Sequence, residues 1–161
     1  QRVGIEDGTG AAYHDNLGVF DSRDERVNPL FRFTTFLMRL RGRHACLRQA
    51  AWGDMAVGGD DVSYLFHAPT ADGSPNEGDR ALAIHIDAPD DGFWAMLNMT
   101  SDPVDFRVPE VDGDRAWRRL VDTAVGAEKE DNCWPEGEGE VVSDGVAVQP
   151  WSIVVWHRSP R

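Results

Sequence analysis

Four consecutive polar residues, Tyr13-His14-Asp15-Asn16, stand in a stretch punctuated by Gly4, Gly8, Gly10 and Gly18. A histidine beside a carboxylate on irregular backbone is the best candidate site in the chain. The plainer reading is an Asx-turn, which Asp-Asn in a glycine-rich loop forms readily. The five histidines (14, 44, 67, 85 and 157) show no metal-ligand spacing on any one element. His67 and His85 fall on strands able to pair, but no acid or cysteine accompanies them in sequence. No metal site and no cofactor are therefore expected. Ser22, Ser63, Ser101, Ser143 and Thr123 lack a His–Asp partner at recognisable spacing. Gly58-Gly59 and Gly137-Glu-Gly139 lie in acidic surroundings that repel phosphate, so they read as turns.

Six tryptophans are many for this length, and their faces stack on sugar rings. Trp94 and Trp156 lie in apolar strands and are expected in the core. Trp52, Trp134 and Trp151 lie near loops and are the candidate sugar-stacking residues, although a tryptophan in a small domain is more often packed than displayed.

One element is specified by every local signal. Leu30, Phe33, Leu37 and Leu40 recur at helical spacing, and Phe36 widens the stripe. Asn28 suits the N-cap and Pro29 the first helical position. Gly42 can take the left-handed conformation that ends a helix, while Arg39, Arg41 and Arg43 favour its C-terminal dipole. A helix over about Pro29–Arg41 follows, with a short extra turn after it. Burying five large apolar side chains is worth on the order of 10 kcal/mol. Gln1 to Val27 is polar, with no apolar run to supply the other side of a core.

After Trp52 the period becomes two. Val62-Tyr64-Phe66, Leu82-Ile84-Ile86, Val104-Phe106-Val108, Trp117 to Asp122 and Ile153 to His157 read as strands. Phe93 to Met99, apolar on both faces, reads as a central one. Turn signals at Asp60-Asp61, Ala71 to Pro75, Asp90 to Gly92, Asp112-Gly113 and Asp144-Gly145 separate them. Short strands at this spacing predict an antiparallel β-sandwich. Val125 to Gly139 is expected to be a long acidic loop.

The net charge of -12 excludes nucleic acid and anionic membrane surfaces as partners. Residues 1–50 carry 8 basic and 6 acidic side chains, leaving 8 and 22 for residues 51–161. That shift from +2 to -14 places a domain boundary near Ala50. Cys46 and Cys133 are expected to be reduced, packed thiols of an intracellular protein. No run approaches the length of a membrane span. The opening Gln1-Arg-Val-Gly suggests a piece of a longer product.

The order of these features resembles the carboxy-terminal end of isoamylase-type and glycogen-debranching enzymes of the alpha-amylase superfamily. The matching pieces are Ala12-Tyr-His-Asp-Asn16, Leu30-Phe-Arg-Phe33 with Leu40-Arg41, and Phe93-Trp-Ala-Met-Leu-Asn-Met-Thr100. Val104-Asp-Phe-Arg-Val-Pro109, Trp117-Arg-Arg-Leu-Val-Asp-Thr123 and Ser152-Ile-Val-Val154 complete them. Each is short; their order is what is specific. The resemblance implies that residues 1–49 end a (β/α)₈ barrel, supplying a mouth loop and the last helix. Residues 50–161 would be the C-terminal β-sandwich domain. Tyr13, His14, Asp15 and Asn16 would then touch substrate, a branched α-glucan whose α-1,6 branch points the parent hydrolyses. The partner of this chain would be the upstream barrel, oligomers remain open, and the compartment would be plastid stroma or bacterial cytoplasm according to source. Gly10-Ala11-Ala12 stands where the family carries an Asn run and a Cys, which suits the alternative: a non-catalytic scaffold or carbohydrate-binding subunit of a debranching complex.

The family's retaining mechanism needs a nucleophilic carboxylate and an acid about 5 Å apart at barrel strand ends. No acid of this chain stands in such a motif, so no residue here is assigned a catalytic role. The isolated chain is expected to release no reducing ends from amylopectin or pullulan above a buffer control; measurable release would refute this.

Overall fold

The computed structural model describes residues 28–49, 62–69, 73–111, 113–142 and 145–160. The chain divides between Arg43 and His44 into two compact units. Helix α1, Pro29–Arg43, belongs to the first. Asn28 caps it as expected: its Oδ1 accepts from the Phe31 N–H at 2.9 Å. Leu40 is buried, whereas Leu30, Leu37 and Met38 are exposed. The helix runs through Gly42 instead of stopping there, and Gly42 is not left-handed. Arg41 and Arg43 in the last turn suit the dipole, and the chain turns extended only at His44, with φ -102° and ψ 112°.

The second unit is mainly β and antiparallel. Its strands are β1 (Ser63–His67), β2 (Ala81–Ala88), β3 (Asp91–Asn98), β4 (Val104–Arg107), β5 (Arg115–Asp122), β6 (Val141–Val142), β7 (Gly145–Val148) and β8 (Ser152–Pro160). One sheet runs β1-β2-β3-β8-β5-β6; a second pairs β4 with β7. The expected strands all form. β6 and β7 add two that the sequence did not announce. The expected loop after Val125 is partly ordered: a 3₁₀ helix spans Val125–Glu130, and Cys133 bridges to Val121. The turn expected after the helix is a 3₁₀ turn at Ala45–Arg48.

Strand geometry sends alternate side chains to opposite faces. In the β3–β8 ladder Trp94 pairs with Trp156 and Met96 with Val154. These four, with Ala83 and Trp117, face Phe106, Val108 and Val148 in a single apolar core shared by both sheets. Trp94 and Trp156 are buried there, as the sequence indicated. The intervening positions, Phe93 and His157, pair with each other on the other face.

Asn98 closes the core at the end of β3. It is fully buried, and its Nδ2 donates to the carbonyls of Asp102, Val148 and Gln149 at 2.9, 2.9 and 3.1 Å. Its Oδ1 accepts from the Thr100 N–H and hydroxyl. One amide thus ties the β3–β4 connection to the end of β7. Among the described residues no helix is long and apolar enough to cross a membrane.

Asn98→Ala strips the partners from buried carbonyls, each worth about 1–3 kcal/mol when left unpaired. A loss of about 3 kcal/mol in unfolding free energy is expected by urea denaturation; a loss below about 1 kcal/mol would show the amide to be dispensable.

Candidate functional site

The β2–β3 hairpin turns through Pro89-Asp90, so that Ala88 pairs with Asp91. Arg158 on β8 pins this turn: its guanidinium donates to the Asp87 carboxylate at 2.8 Å and to the carbonyls of Ala88 and Asp91. The Asp91 carboxylate projects to the face away from the core. There Oδ1 accepts from the Gly92 N–H at 2.9 Å and lies 2.9 Å from His157 Nε2. Oδ2 lies 2.8 Å from His44 Nδ1 and accepts from the Cys46 thiol at 3.2 Å.

His44 and Cys46 arrive on the 3₁₀ turn, which is anchored on the same face by the Tyr64 hydroxyl donating to the Cys46 carbonyl at 2.6 Å. The second nitrogen of His44 lies 3.2 Å from Glu136 Oε2. Phe93 stacks on His157 and meets His44 edge-on, both at 4.9 Å between centroids. The His44 and His157 side chains are 10% and 11% exposed, whereas the Asp91 side chain keeps 23% of its surface, an opening to solvent.

Burial alone would raise the Asp91 carboxyl, but hydrogen bonds from His44, Cys46 and His157 outweigh it and hold it below the usual range. Burial, reinforced by the hydrogen bond to Asp91, pushes the Cys46 thiol up to about 12. That is an inert thiol, not a nucleophile. Burial lowers His157 against the pull of Asp91, favouring the neutral ring. Its Nδ1 is buried with no hydrogen-bond partner among the described residues. His44, Asp91 and His157 each offer one ligand atom within 4.8 Å of the others.

Nothing in sequence spacing pointed to this cluster. His44 and Asp91 are 47 positions apart, and His157 lies 66 beyond Asp91. The faint signal was His157 itself, a polar residue interrupting the last apolar strand. Cys46 is buried and Cys133 half-buried, with no disulfide between them.

Of the residues singled out by sequence, Tyr13, His14, Asp15, Asn16 and Trp52 lie outside the described residues. Trp151 is 65% exposed on the β7–β8 turn, at a left-handed φ of 54°. Trp134 is half-buried and lines a shallow depression of about 530 Å³ with Arg119, Asp122, Ala124, Gly126, Ala127 and Gln149. Arg119 lies 5.4 Å from the centroids of both Trp134 and Trp156, and pairs with Glu140 at 2.9 Å and Asp122 at 3.6 Å. The loop forming this wall crosses β5 so closely that a Cβ on Gly139 would sit 1.8 Å from the Arg119 carbonyl oxygen.

His67 and His85, on paired strands, do come together, with centroids 6.2 Å apart. Their surroundings are aromatic: His85 lies edge-on to Trp94 at 5.3 Å and Trp117 at 5.8 Å. Its Nε2 is buried without a hydrogen-bond partner among the described residues. No protein-family model matches the chain, and no curated protein does either.

Burial lowers His85 below its ordinary value of 6.5, with Asp87 opposing and His67 and Arg158 adding to the shift. The unfolded chain therefore binds the proton more readily. The stability His85 contributes is complete above about pH 6.5 and shrinks as pH falls toward the folded value. His85→Phe is expected to flatten the fall in melting temperature between about pH 7 and about pH 5. An unchanged slope would show that protonation of His85 is not opposed by the fold.

Proposed function

We propose that this chain is the C-terminal part of an isoamylase-type debranching enzyme. In this reading the antiparallel unit is a β-sandwich domain that supports a (β/α)₈ barrel, and α1 is the last barrel helix. The observation that supports it is the distribution of the family-like segments. They fall in order on β3, β4, β5 and β8, behind a helix that leaves Leu30, Leu37 and Met38 exposed. A barrel would cover such a face. The parent hydrolyses α-1,6 branch points of an α-glucan through catalytic carboxylates of that barrel, none of which this chain supplies.

The depression around Trp134 favours a glucan contact on this domain. It combines an aromatic ring with Arg119, Asp122 and Gln149, the pairing of apolar face and polar hydrogen-bonders that a pyranose presents in mirror image. The same groove would serve a non-catalytic carbohydrate-binding subunit, the second reading.

Sequence encoded ahead of Gln1 separates the two. A barrel with an Asp nucleophile and a Glu acid at its strand ends supports the enzyme, a barrel lacking them supports the subunit, and no barrel overturns both. In native gels containing amylopectin the chain is expected to be retarded. Trp134→Ala is expected to lose about 1.4 kcal/mol of stacking, a tenfold drop in affinity. Equal migration of both proteins with and without glucan would remove the groove from the reading.

A further inference from the structure

We propose that His44, Asp91 and His157 form a binding site for a first-row divalent metal ion of the zinc type. His44 ligates through Nδ1, His157 through Nε2 and Asp91 through a carboxylate oxygen. Neutral imidazole and carboxylate are the donors zinc takes, at about 2.0–2.2 Å. Ligand atoms around a tetrahedral ion stand about 3.4 Å apart. The present separations bracket that figure, from 2.8 Å for the His44–Asp91 pair to the 4.8 Å limit of the group. Closing the widest separation to that figure takes a shift of about 0.7 Å per side chain.

Three further features belong to a metal site more than to a hydrogen-bond cluster. The first is the contact of His44 Nε2 with Glu136 Oε2 at 3.2 Å. A ligating histidine commonly donates its other N–H to a carboxylate, which fixes the tautomer and ring orientation. Here binding requires His44 in the tautomer with the proton on Nε2, facing Glu136, and His157 in the tautomer with the proton on Nδ1, which has no hydrogen-bond partner among the described residues. The second is rigidity. Phe93 packs on both rings, and Arg158 holds the hairpin turn that carries Asp91. The third is charge and access. Two carboxylates converge on two largely buried imidazoles, while the 23% exposure of Asp91 leaves the carboxylate an entry path from solvent. Cys46 remains a thiol donor to Asp91 Oδ2, orienting the carboxylate from behind.

The site lies within the antiparallel unit, on the face opposite its apolar core, and does not depend on the glucan reading. The test uses the full chain, stripped with a chelator and titrated with zinc against a chromophoric competitor, with the melting temperature followed in parallel. One equivalent is expected to bind and raise the melting temperature. His157→Asn and Asp91→Asn should each weaken binding by about 100-fold or more, and Glu136→Gln by about tenfold. Cys133→Ser should leave it unchanged. Cobalt in place of zinc should give the intense visible bands of a four-coordinate ion, lost in His157→Asn. If Asp91→Asn fails to fold, the His44→Asn/His157→Asn pair decides, its fold checked by circular dichroism of the stripped protein. Absence of binding to wild type, or binding undiminished in that double variant, would overturn the proposal and leave the cluster as a hydrogen-bonded brace.

Discussion

The register between β3 and β8 is the constraint on which everything else in the antiparallel unit depends. Side chains alternate across a sheet, so a slip of one residue would exchange its faces. In the observed register Trp94 meets Trp156 and Met96 meets Val154 on the core side, while Phe93 meets His157 on the other. β8 also pairs with β5, so the same ladder joins the two halves of the large sheet. Apolar burial on one face therefore fixes the position of polar groups on the other. The energy that sets the register comes from the tryptophans, which bury the largest areas in the core.

Polar groups then hold the ends of this ladder. Arg158 clamps the β2–β3 turn at one end, and Asn98 ties β3 to the β7 end at the other. Each donates to backbone carbonyls, of which that of Val148 is fully buried. Asp91 is the third such group, but its position differs. It gathers donors from the hairpin, the 3₁₀ turn and β8, and stays ionised because those donors outweigh its desolvation. A carboxylate assembled from three separate elements is a sterically defined point. Two imidazole nitrogens converge on that point, each within 4.8 Å of the carboxylate's ligand atom.

The depression beside Trp134 follows from a different part of the same sheet. The segment between β5 and β6 doubles back over β5, using Gly139 where no side chain fits and Asn132 Nδ2 to bind the carbonyls of Asp122 and Ala124. Arg119 emerges from β5 between the rings of Trp134 and Trp156. The groove is thus built on a strand by a loop that a sequence reading takes for unstructured acid-rich chain. Glycines and acids there are consistent with loop, and the 3₁₀ helix inside it has too short a period to register.

Local patterns determined much of the architecture. The Asn28-Pro29 start and apolar stripe of α1, the alternating strands and the central position of Phe93 to Asn98 were all legible, because each rests on interactions within a few residues. The stop at Gly42 was misjudged, since a glycine permits the left-handed conformation without enforcing it. Two-residue β6 lies below the length at which alternation can be seen, and β7 opens on Gly145, which with Asp144 reads as a turn. The candidate metal cluster was invisible for a stronger reason. His44, Asp91 and His157 are neighbours only through the β2–β3 hairpin, the β3–β8 register and the return of the 3₁₀ turn onto the outer face. Sequence spacing records none of these, because strand register set by burial on the opposite face places Asp91 near His157, and the 3₁₀ turn held by Tyr64 brings His44 to them.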